Sequence, residues 1–232
     1  MELDESLEKQ VSVLEQVGES MRMNQIEYIA KRLGVDKEEL LVEMRKIEKE
    51  RKYGKQKDKM KFFHLTSFSS AKQIIQDREL LSAKEREKRG NTINNARPNS
   101  RYHGVQFTTD FYDSEGVLTS SGLGKGRGAS GQNVTFVFGE DLYDDPLLDT
   151  FEQYPSIDYV SLDKCLAIIC SDDNEKEFII ELLKIQGIMN IIVYTQNEFD
   201  VTMTASELKN KSELNKIFNS KSDNENNANM TK

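Results

Sequence analysis

The sequence predicts an α+β protein, a mixed or antiparallel sheet preceded by a helical module, and three observations lead there. Residues 1–50 contain no proline, only Gly18 and Gly34, and repeat apolar residues at helical spacing. Between Lys61 and Thr195 strand-like and helix-like segments follow one another. Past about residue 210 the chain is rich in Asn, Ser and Lys, with too little apolar surface to offset the entropy of ordering. The expected parts are a helical module with a basic linker over 1–60, a sheet-bearing domain over 61–210, and a disordered tail over 211–232.

In the module, Leu3, Leu7, Val11 and Leu14 mark one helix and Ile26, Ile29 and Leu33 a second. A Gly-Val turn follows, and Asp36, with Glu39 three residues on, reads as the N-cap of a third helix. The pair resembles a helix-turn-helix unit, although its second helix opens on acidic residues where a DNA reader would meet phosphates. From Arg45 to Lys61 the run "RKIEKERKYGKQKDKMK" has no apolar stripe after Ile47 and reads as a frayed helix end and solvated linker. It is also the best electrostatic candidate for a nucleic-acid backbone.

The second part offers strands at "MKFFHL", "GVQFTTDF", "NVTFVFG", "KCLAIIC" and "NIIVYT". Helices are expected over Ser69 to Leu81 and over "EKEFIIELLKIQG", which stops at Gly187. Cys165 and Cys170, five apart on a strand, should face opposite sides, which points to two buried thiols rather than a disulfide or metal pair.

With 32 basic against 40 acidic residues, a net charge of -8, the whole molecule does not present itself as a nucleic-acid or membrane binder. No apolar segment approaches the roughly 20 residues of a membrane helix. The N-terminal "MELDESLEKQ" is too acidic for a secretory signal, so a cytoplasmic protein is expected. No zinc or calcium spacing occurs, and no metal is expected. The glycine-rich "GLGKGRGASG", Gly122 to Gly131, lacks the Gly-Lys-Ser/Thr ending of a phosphate loop and reads as a surface loop or basic flap.

His64, one of two histidines, lies on the "FFHLT" strand with Thr66 two residues on, so both project from one face. The run "FHLTSFSSAKQIIQDRELLSA" resembles the first strand and helix of ADP-ribosyltransferases of the poly(ADP-ribose) polymerase and DarT-toxin class. "RYHGVQFTTDF" is similar to their second NAD-facing strand and "NVTFVFGEDL" to the strand after the variable loop. "SLDKCLAIICSDDNEKEFIIELLKIQGIMNIIVYT" is similar to the closing strand, helix and strand of DarT-type toxins. The resemblance spans about Lys61 to Thr195 and implies a split mixed or antiparallel sheet of ADP-ribosyltransferase type.

It also implies a site. His64 would donate to an NAD ribose hydroxyl, Thr66 would orient the imidazole or the ribose, and backbone near Tyr102 to Gly104 would grip the nicotinamide amide. An arginine is called for among Arg86, Arg89, Arg97 and Arg101, with Arg97 preferred and Arg101 its alternate. The acid would be Glu152, with Asp149 or Asp158 as alternates, while a second alignment nominates Glu198 with Gln196 two residues before it. The bland readings are a satisfied core histidine and solvated surface acids and arginines.

The function so implied is NAD-dependent mono-ADP-ribosyl transfer to a macromolecule, nucleic acid slightly ahead of protein, in a toxin or a phage–host conflict factor. NAD would be a substrate, and residues 1–50 would offer a surface for a partner protein. The alternatives are an inactive binding protein that keeps the fold and a helix-turn-helix DNA-binding regulator.

Overall fold

The computed structural model describes residues 2–90, 104–111, 133–151 and 154–230. It is an α+β structure of N-terminal helices, a mixed four-strand sheet and two small antiparallel sheets.

Helices α1 (Glu2–Leu14), α2 (Glu19–Leu33) and α3 (Lys37–Tyr53) form the module. Gly34 ends α2 in the left-handed conformation at φ 68°, which glycine adopts without a Cβ penalty. Asp36 caps α3 as its sequence predicts, accepting from the backbone N–H of Glu38 at 2.8 Å and Glu39 at 3.1 Å. The apolar stripes meet in one cluster that includes Leu7, Val11, Leu14, Ile26, Leu41 and Met44, together with Phe151 from far along the chain.

The stretch Arg45 to Lys61 is not a frayed linker. α3 runs to Tyr53, a 3-10 segment continues over Gly54–Lys59, and Glu48 and Lys49 are buried. The reason is chemical: lysines here bury their stems and give their ammonium protons to backbone carbonyls, so the helix needs no apolar stripe to dock. Lys49 Nζ donates to the carbonyls of Tyr143 at 2.9 Å and Asp145 at 2.7 Å. Lys57 pairs with Glu140 and Asp144, and Lys61 reaches the carbonyls of Val201 and Met203.

Strand β1 (Phe62–Ser67) leads into α4 (Phe68–Asp77), capped by the Ser67 hydroxyl. The helix stops earlier than the expected Leu81 because Arg78 takes a left-handed φ of 59°. Glu79–Leu81 is instead a strand, β2, followed by the short helix α5 (Ala83–Lys88). Then come β3 (Val105–Gln106), β4 (Asn133–Phe138), α6 (Glu140–Tyr143), β5 (Ser156–Ile157), β6 (Tyr159–Ser161) and β7 (Cys165–Cys170). α7 (Asp173–Ile185), β8 (Ile192–Thr195) and α8 (Ala205–Met230) complete the chain, α8 continuing through most of the stretch read from sequence as a tail.

The main sheet has the order β1-β4-β7-β8, antiparallel except for the parallel pair β7/β8 joined through α7. One face carries Phe62, Phe136, Phe138 and Ile168 against Ile74 and Ile75 of α4 and Ile179 and Leu183 of α7. The other packs Phe63, Val137 and Ile169 against Phe199, Met203 and Leu208. Cys165 and Cys170 are free and buried. They share the first of these clusters rather than facing opposite sides, because the β4/β7 register shifts between Val137 and Phe138. Among the described residues no helix is long and apolar enough to cross a membrane.

Candidate functional site

β1 has β4 on one side and the segment after Gly104 on the other. Phe63 and Thr108 exchange backbone hydrogen bonds of 2.8 and 3.0 Å in an isolated antiparallel bridge. Continued pairing would set Gln106 opposite Leu65, but β3 turns away and pairs with β5, Val105 with Ile157 and Gln106 with Ser156. The two strands therefore fork just past Phe63, and His64 stands at the root of the fork.

The partly buried His64 Nδ1 lies 2.9 Å from the Gln106 carbonyl oxygen. A carbonyl only accepts, so Nδ1 carries the proton and donates. Burial holds the imidazole below its usual range; the Gln106 carbonyl opposes that shift and the Arg86 charge reinforces it. A neutral ring donating through Nδ1 leaves Nε2 as a lone-pair acceptor. Nδ1 is thus engaged by Gln106, and Nε2 is the ring nitrogen left to accept a hydrogen bond.

Around the ring, Phe107 tilts against the imidazole with centroids 5.9 Å apart. Thr66, partly buried, is on the same face of β1, level with Val134. Gly104 packs so closely on β5 that an added Cβ would stand 2.9 Å from Ser156 Cβ and 3.2 Å from the Ile157 nitrogen. Gly104→Ala should therefore force β3 from β5 and cost about 1–3 kcal/mol. Urea titration would read this as a lower midpoint at an unchanged slope.

Of the arginines, Arg89 is committed to Glu79 and Glu85 and lies over the Tyr159 ring at 5.4 Å. Arg86 is the one whose charge reaches His64. Arg97 and Arg101 lie outside the described residues, as do Tyr102, His103 and the glycine-rich stretch Gly122 to Gly131.

The nominated acids separate. Glu152 lies outside the described residues, but its flanks form a hairpin in which Asp149 and Ser156 exchange two backbone bonds of 2.8 Å. Asp149 pairs with Arg45 at 3.2 Å. Asp158, two residues beyond the Ser156 that pairs with Gln106, accepts from the Ser82 hydroxyl at 3.1 Å and pairs with Lys84 at 3.5 Å. Glu198 is elsewhere. Lys176 contacts both its oxygens at 2.6 Å and the Thr195 N–H donates to it at 2.8 Å, partners that keep its carboxyl below the usual range. It follows β8, three strand spacings from β1, or about 14 Å. Gln196 is exposed beside it, its backbone N–H on the Cys170 carbonyl.

The described residues thus bring His64, Thr66, Gln106 and Arg86 to the fork, with Gly104 at the β3/β5 contact, while Asp158 is held by Ser82 and Lys84, and Glu198 and Gln196 lie apart. Gln106 and Phe107 were missed from sequence because the first acts through its backbone and the second reads as an ordinary core residue. Among the described residues no group of three His, Cys, Asp or Glu side chains is placed to hold a metal ion. No family model, curated protein or solved structure matches the chain.

Proposed function

We propose that the chain binds NAD at the β1–β3 fork and transfers its ADP-ribosyl group to a macromolecule, nucleic acid slightly ahead of protein. The observation that carries this is the strand fork with a neutral, oriented imidazole at its root, whose Nε2 has no protein partner among the described residues. Polar groups held in a parted sheet suit a ligand that must be gripped edge-on, because the strands' own hydrogen bonds are not completed there.

The reaction balances simply. The bond from ribose C1′ to the nicotinamide nitrogen breaks, its electron pair leaves with nicotinamide, and C1′ passes through an oxocarbenium-like state. An acceptor nitrogen or oxygen bonds C1′ and gives its proton to a base. His64 and Thr66 hold the ribose, and the acid comes from the segment 149–158, through Glu152 with Asp158 as alternate.

The test is nicotinamide release by purified protein supplied with NAD and, in turn, single-stranded DNA, RNA and a protein mixture. His64→Ala, folded by circular dichroism, should lose about a hundredfold in kcat/KM. Release with none of the acceptors, or full activity in His64→Ala, would end the proposal.

A second reading, a catalytically inactive binding protein of the same fold, draws on Asp158 being held by Ser82 and Lys84 and Glu198 by Lys176. A folded chain that neither releases nicotinamide nor gains stability from NAD would select it. The DNA-regulator reading has less support, because Lys49 and Lys52 of α3 turn inward onto carbonyls.

A further inference from the structure

We infer that the N-terminal module is a positioning clamp for the fork, with Arg45 and Lys52 as positioning residues that act on His64 through the 149–156 hairpin and β3. For its effect on turnover this rests on the proposed function; for its effect on the imidazole it does not.

The contacts run without a break. Arg45, Glu48, Lys49 and Lys52, spaced by three and four residues, share one face of α3. Arg45 Nη2 meets Asp149 Oδ2 at 3.2 Å, and Lys52 Nζ donates to the Thr150 carbonyl. The next residue, Phe151, is 5 % exposed and sits in the module's own core, with the Arg22 guanidinium 4.9 Å above its ring. One arm of the hairpin is therefore folded into the module. The other arm carries Ser156, bonded back to Asp149 and paired with Gln106, while the Pro155 carbonyl accepts from the Phe107 N–H at 2.8 Å. The Gln106 carbonyl then fixes His64 Nδ1.

The module's structural consequence is the placement of β3. Because, among the described residues, the backbone bridge from the segment after β3 to the main sheet is Phe63–Thr108 alone, β5 is the principal backbone partner of β3, and β5 is placed by the hairpin. Releasing Asp149 and Phe151 lets β5 and β3 move together, and the first bond at the site to suffer is His64 to Gln106. An imidazole without that acceptor loses the contact that opposes burial, so its pKa falls further below the usual range, and it loses its fixed tautomer.

The experiment uses the full chain and 15N NMR of its two histidines, with His103→Gln assigning His64. In wild type the imidazole should hold Nδ1–H and titrate below 6.5. In Arg45→Met it should titrate lower still and populate Nε2–H, with kcat/KM for NAD falling on the order of tenfold to a hundredfold. Arg45→Lys, which keeps the ion pair, should restore both. Asp149→Asn is the gentler variant should Arg45→Met fail to fold, and it should move the imidazole in the same direction. An unchanged His64 titration and tautomer in a folded Arg45→Met or Asp149→Asn protein overturns the clamp. A wild-type chain inert toward NAD whose imidazole still answers to Arg45 overturns the enzyme and keeps the clamp.

Discussion

Phe107→Ala is expected to lower the unfolding free energy by about 3–5 kcal/mol, as for an aromatic ring removed from a closed core. The ring is fully buried. It packs edge-on against Phe138 at 5.5 Å and Phe62 at 6.4 Å, so the cavity would be walled by other rings that cannot collapse into it. A loss of that size is a large part of the roughly 5–15 kcal/mol by which domains are stable. For a chain of this length it should depress Tm by about 10 °C. The same ring lies against His64 and its backbone holds the hairpin through Pro155, so the site loosens with the core. A calorimetric loss below about 1 kcal/mol would mean that β3 is not packed as described.

Glu48 should make stability fall as pH rises. It is wholly buried, neither oxygen has a partner with hydrogen-bond geometry, and the close approach of Lys52 is an ion pair. Burial pushes its carboxyl from 4.5 to about 7; Lys52 opposes this and Glu15 and Asp149 add to it. Because the folded value lies above the unfolded one, the protonated acid is the favoured native form. Its contribution is complete below pH 4.5 and is lost as pH climbs through 7, amounting to about 3 kcal/mol. Glu48→Gln keeps the shape without the titration. In urea titrations from pH 5 to pH 8 its advantage over wild type should widen with pH. A constant difference would mean that Lys52 holds Glu48 ionised throughout.

Much of this architecture is legible in the chain. Asp36 with Glu39 gives the start of α3, the runs around Phe62, Phe136, Ile168 and Val193 give all four strands of the main sheet, and His64 with Thr66 gives the face that meets the fork. What stayed hidden was set by groups without a side-chain pattern. The docking of α3 depends on lysines aimed at carbonyls, and the carbonyls of Tyr143, Asp145 and Thr150 leave no trace in residue type. The shared core of Cys165 and Cys170 follows from one register shift, which breaks the two-residue alternation locally. The partner of His64 Nδ1 was hidden for the same reason, since it is the backbone of Gln106, forty-two residues away.

The fork holds an imidazole with one ring nitrogen bound to the Gln106 carbonyl and the other without a protein partner among the described residues. The most direct measurement is the melting temperature of the full chain with and without NAD. At a hundredfold its Kd a ligand that binds only the native state adds about 2.7 kcal/mol. For a chain of this size that should raise Tm by about 5–10 °C. The account predicts this rise in wild type and its loss in folded His64→Ala. No rise at any NAD concentration, or an equal rise in both proteins, would contradict it.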